Sequence, residues 1–241
     1  MNKSNNKVFK IVSIFICLII ASVAYSASIV NSKHDLSWLH NQQELHRQSS
    51  KWNQYNEVCV YCHTPHNANA NVTAPLWNRQ VSNPSAYTLY DSPTMDNKPT
   101  TVSGVSLACL SCHDGTIAVD SIINPPNTGW SVSTYHEKMT TTSTEKSVSC
   151  AYCHGADGSS MDHTAAYLGI DLSNDHPISM AYPTNQPTQF NAVASGKVGT
   201  LPLYSGKVEC ASCHNVHNPD NLPFLRSSNS ISALCTACHI K

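Results

Sequence analysis

The chain has 241 residues, long enough for one or two domains, but only 41% are hydrophobic and only four are Phe, so side chains alone would build a thin core. Charged residues make up 12%, too few for the charge-driven disorder signature, and the formal net charge of −1 comes without the basic stripe that nucleic acid requires. Something other than side chains is needed to fill the interior.

Residues 1–26 read as a cleaved export signal. Lys3, Lys7 and Lys10 form a basic start, Ile11 to Ala24 form an apolar run, and Ala24 and Ser26 are the small residues before the cleavage point. The run falls short of the roughly 20 apolar residues a membrane span needs, so no span is expected in the mature chain. Cys17 lies inside the leader and is lost with it. Without the three leader lysines, 11 basic residues face 15 acidic ones, a formal −4. The product is expected to be exported, to the periplasm or to the extracellular side.

Downstream, all ten remaining cysteines fall into five pairs of one form. They are Cys59/Cys62, Cys109/Cys112, Cys150/Cys153, Cys210/Cys213 and Cys235/Cys238, each followed at once by His63, His113, His154, His214 or His239. This is five copies of C-x-x-C-H, the attachment signature of c-type haem. Two thiols make thioethers to the haem vinyl groups, and the adjacent imidazole lies under the iron as proximal ligand. Disulfides, zinc knuckles and thioredoxin-like pairs use C-x-x-C but leave the constant fifth residue unexplained. Five such histidines in succession would arise by chance roughly once in a million. The expected cofactor is therefore haem c, five per chain, covalently attached.

Eight further histidines are available as sixth ligands: His34, His40, His46, His66, His136, His163, His176 and His217. That surplus suits an electron carrier with both axial sites filled better than an enzyme with one open. His66 and His217 each stand three residues after an attachment histidine. From there a ring reaches a neighbouring haem more easily than the far side of its own. His176 precedes Pro177 and so sits at an extended point of the backbone. Met95, Met139, Met161 and Met180 are weaker candidates while histidines are in surplus.

The first cysteines lie 50, 41, 60 and 25 residues apart, and the stretches between are rich in Pro, Ser, Thr and Asn without sustained periodicity. The fold class expected is mainly irregular with short α-helices at the attachment motifs and little or no β-sheet. A stacked chain of haems would organise it as one domain over 27–241. Trp38, Trp52, Trp77 and Trp130 are candidates to pad haem edges.

Several segments together resemble the multihaem cytochrome c families with a doubled C-x-x-C-H motif, related to cytochrome c3. They are Lys33–Ser37, Cys59–His66, Pro75–Arg79, Cys109–Thr116, Asp171–Ile178, Cys210–His217 and Phe224–Asn229 ahead of Cys235. The resemblance implies a multihaem cytochrome c fold with bis-histidine haems, and a tetrahaem set using His34, His66, His176 and His217 as distal ligands. Residues 131–163 then stand as an insertion carrying the third haem, capped by His163 or His136, with His163 favoured because it closes the same segment. His40 and His46 are left as surface residues. The function implied is electron transfer through five bis-His haems to redox partner proteins or an extracellular acceptor, not catalysis. Some relatives form filaments in which an N-terminal histidine ligates a neighbour's haem, and His34 is placed to make such a homopolymer. The alternative is a multihaem reductase of a small oxyanion with one open haem. Pentahaem nitrite reductases replace one attachment histidine by lysine, whereas all five motifs here end in His.

Overall fold

The computed structural model describes residues 28–37, 55–117, 121–126 and 167–240. The leader lies outside them, and so does the third attachment motif with Cys150, Cys153 and His154. His40, His46, His136 and His163 lie outside them as well.

Among the described residues the longest regular element is helix α1, Gly104–His113, which carries the second attachment motif. Ser103 stands at its N-cap but makes no side-chain cap, because its hydroxyl is committed to Glu209. Gly104 opens the helix where a Cβ would meet the Thr73 backbone nitrogen at 2.9 Å. Beyond the Asp114 C-cap, Gly115 turns the chain at φ 72°, a region where glycine carries no Cβ penalty. Two shorter helices, α2 (Cys210–Cys213) and α3 (Ala233–Thr236), hold the fourth motif and part of the fifth. Glu209 and Ser212 cap α2 reciprocally, side chain to backbone in both directions.

Among the described residues seven two-residue strands form three small sheets. β1 (Thr88–Leu89) runs parallel to β2 (Asp171–Leu172). β3 (Met180–Ala181) lies antiparallel to β7 (Lys207–Val208). Between them β4 (Val193–Ala194), β5 (Lys197–Val198) and β6 (Leu201–Pro202) form a meander. Each is a clip between loops rather than a layer of a core.

The largest packed cluster is Tyr87, Val102, Leu107, Leu110 and Leu172, edged by Val81, Leu89 and Ile178. It seats α1 against the β1–β2 clip. Elsewhere the loops are held by turns: the backbone N–H of Asn78 donates to the Cys62 carbonyl at 2.8 Å, and that of Arg226 donates to the Cys213 carbonyl at 2.8 Å.

Candidate haem-attachment site

Of the residues expected to hold haem, Cys150, Cys153 and His154 fall outside the described residues, as does His163, the expected cap of the same haem. The geometry therefore bears on the other four motifs.

The local geometry of three of these is a single helical turn. The amide of His63 donates to the Cys59 carbonyl at 2.8 Å, that of His214 to Cys210 at 3.0 Å, and that of His239 to Cys235 at 2.9 Å. One turn places both thiols and the imidazole on one side of the backbone, as attachment to a single flat group demands. The fourth described motif, at 109–113, closes the last turn of α1.

Second contacts then fix the imidazoles. His63 Nδ1 lies 2.7 Å from the Pro75 carbonyl, and His214 Nδ1 lies 2.9 Å from the Pro223 carbonyl. A carbonyl accepts only, so Nδ1 carries the proton and Nε2 keeps its lone pair for a metal. The two clamps are the same device built twice. Leu76 and Phe224, with φ of 54° and 63°, follow the clamping prolines, and their carbonyls accept the amides of Thr64 and Asn215. Trp77 and Leu225 then bridge back to His63 and His214. Neither clamp was expected from the sequence, where Pro75–Arg79 and Phe224–Asn229 stand only as segments of the family resemblance and Trp77 as a candidate to pad a haem edge. The signal was a proline followed by a bulky apolar pair after each C-x-x-C-H-x-x-H. His176 Nδ1 is held in the same way, 2.9 Å from the Pro177 carbonyl.

Three attachment histidines each face a histidine from a distant part of the chain. His34 and His113 have ring centroids 6.1 Å apart, His63 and His217 6.2 Å, and His176 and His239 6.4 Å. The His63 and His217 planes lie within 21° of each other, yet their rings are too far apart to touch face to face. Two metal–nitrogen bonds of about 2 Å each, plus the half-widths of two imidazoles, span roughly 6 Å. His66, by contrast, is exposed, its carbonyl held by Thr64 and Asn124, and no second imidazole meets its ring among the described residues.

Electrostatics agree with neutral ligating rings. Burial, with the neighbouring His113, His214 and His217, brings His34 down to about 4. Its buried Nδ1 has no hydrogen-bond partner among the described residues. His217 is largely exposed, but desolvation at its ring and the adjacent His63 also lower it. The described thiols are free, and burial pushes that of Cys62 up to about 12. An apolar slot of this kind suits a thioether better than a thiolate. The donor set therefore fits haem.

The motifs also follow one another in space. Cys62 lies near Cys112, Cys109 beside Cys210, and Cys213 near Cys238 and Cys235. The path through the described motifs is thus first, second, fourth, fifth. Among the described residues no three His, Cys, Asp or Glu side chains converge as a zinc knuckle would. No helix among them is long and apolar enough to cross a membrane.

A family model described as the doubled CXXCH motif matches residues 202–241, the stretch holding the fourth and fifth motifs. A search of curated proteins returns no match. The match supports a multihaem c-type cytochrome-like family, covalent binding of haem c, and electron transfer as the general role. Proteins of this class are generally exported.

Proposed function

We propose that this chain is a pentahaem electron carrier whose haems are attached at Cys59/Cys62, Cys109/Cys112, Cys150/Cys153, Cys210/Cys213 and Cys235/Cys238. The observation that carries this reading is the set of three imidazole pairs, His34/His113, His63/His217 and His176/His239, at 6.1 to 6.4 Å. Haem supplies reversible one-electron chemistry, and the polypeptide sets its ligation, spacing and exposure.

Within this reading the two histidines of each pair would together hold one haem iron. Pro75 and Pro223 hold their attachment rings in the ligating tautomer. His66 is the ligand opposite His214, because it stands in the first motif where His217 stands in the fourth, and the two units exchange ligands reciprocally. The third haem, on Cys150 and Cys153 with His154 beneath it, takes His163. Electrons then pass along the spatial order of the motifs, with the exposed Cys59 and Cys235 marking the outer ends of the described path. The pairing of His34 with His113 inside one chain favours a self-sufficient monomer over exchange of His34 between copies. The carrier serves a redox partner protein in the periplasm or an acceptor outside the cell.

A second reading, a reductase of a small oxyanion, would need one haem left with an open position. Carbon monoxide titration of the reduced holoprotein separates the two. A carrier binds none, whereas one molecule bound per chain, abolished with loss of that haem, identifies the open-site enzyme.

A further inference from the structure

Buried charge is distributed unevenly over the attachment motifs. Among the described residues the buried charged side chains are Asp35, Asp114, Glu209 and Arg79. All three acids border the second motif. Asp35 follows His34 and Asp114 follows His113, the two members of one imidazole pair. Glu209 is bound to Ser103 and Ser106, at the start of the helix that carries Cys109, Cys112 and His113.

Each acid acts as an acceptor. Asp35 takes the amides of Asn31 at 2.8 Å and Ser37 at 3.1 Å. Asp114 takes Tyr87 Oη at 2.6 Å, Ser82 Oγ at 3.0 Å, and the amide and hydroxyl of Thr116, both at 2.8 Å. Glu209 takes three hydroxyls, from Ser103, Ser106 and Ser179, beside its capping exchange with Ser212. Acceptor-only geometry is that of the carboxylate. Burial and the bond to Asp114 push the Tyr87 phenol well up, which keeps it a donor. None of the three acids makes an ion pair among the described residues. The one buried cation nearby is Arg79, whose Nη2 donates to the Ser111 carbonyl at 3.1 Å.

We infer that Asp35, Asp114 and Glu209 make the haem at Cys109/Cys112 the lowest-potential centre of the four described motifs. The inference rests on the haem reading above. Accepting one electron from the reductant removes one positive charge from that site, with no bond made or broken. Buried negative charge holds the oxidised state and so disfavours the electron, and low local dielectric strengthens the effect. Three carboxylates against one guanidinium leave the balance negative. No buried acid borders the first or fifth motif among the described residues. The second haem then works as a step in the middle of the path, between the first and the fourth, against which electrons are held back until a stronger donor arrives.

The test is spectroelectrochemical titration of the matured holoprotein and its variants. A Cys109→Ala/Cys112→Ala chain, which lacks this haem, is expected to lose the lowest-potential wave. Asp35→Asn and Asp114→Asn are each expected to shift that same wave upward and leave the others in place. Glu209→Gln is expected to shift it together with a second, because Glu209 also precedes Cys210. The exposed Asp96→Asn serves as the control and should move nothing. Should Asp114→Asn fail to mature, Asp35→Asn carries the test, since backbone amides hold Asp35. Waves that stay put in the aspartate variants, or a lowest wave that survives loss of the second haem, overturn the inference. Haem content and the low-spin spectrum are read on the same samples. If those are absent the haem reading itself falls, whereas intact low-spin haems with unmoved potentials sink only the tuning role.

Discussion

Replacing His217 by Ala probes whether a ligand crosses from one motif to another. His217 sits in the fourth motif's segment, but its ring faces His63 at 6.2 Å with planes 21° apart. On the proposed pentahaem reading, removing that ring would leave the first haem short of one histidine, so about one haem in five is expected to turn high-spin. The reduced variant is then expected to bind one carbon monoxide per chain where the parent binds none, and added imidazole should reverse the change. Stability responds as well. A sole tie closing so long a loop would contribute about 5 kcal/mol, and other contacts share that constraint here, so a loss of about 1–2 kcal/mol is expected in thermal unfolding. The deciding measurement is the same substitution in a Cys59→Ala/Cys62→Ala background, which lacks the first haem. There His217→Ala should create no further high-spin centre. A new one in that background would place His217 on another haem and refute the cross-motif pairing.

Other outcomes follow from the packing and the hydrogen bonds. Leu110 is fully buried in the cluster behind α1, so Leu110→Ala should cost about 2–5 kcal/mol and lower the thermal midpoint of the holoprotein. Tyr87→Phe removes one donor from buried Asp114 and should cost about 1–3 kcal/mol in denaturant unfolding while the haem content holds. Tyr182 donates to the Asn191 and Cys238 carbonyls, and burial, with Cys238, raises it to about 12. Its folded value lies above the unfolded one near 10, so its contribution is whole below pH 10 and fades as pH rises toward 12. Tyr182→Phe should flatten that alkaline decline, as followed by chemical unfolding across the range.

How much of this was legible in the chain differs from feature to feature. The C-x-x-C-H motifs are legible because their pattern is local: two thiols and an imidazole on one helical turn are a matter of spacing along the sequence. The scarcity of long elements was legible too, since the Pro- and Asn-rich stretches carry no sustained period. Among the described residues the strands are two-residue clips: β4 to β6 form a local meander, but β1 and β3 pair with distant segments, such as Thr88 with Asp171, and nothing in a two-residue stretch announces such a partner. Which histidine faces which is likewise a matter of distance in space. His63 and His217 meet although 154 residues separate their positions, and His34 meets His113 across 79. The three buried acids around the second motif belong to the same class, whereas the clamps at Pro75 and Pro223 close over 12 and 9 residues and repeat one local pattern. Composition supplies serines, prolines and acids in plenty, but burial and hydrogen-bond direction give a few of them a role, and both depend on how distant segments pack. The sequence by itself thus determined where the C-x-x-C-H motifs stand, because two thiols and an imidazole at that spacing are a local pattern. The tertiary structure alone decided how the histidines pair and where negative charge is buried, because those depend on contacts between segments that no local rule connects.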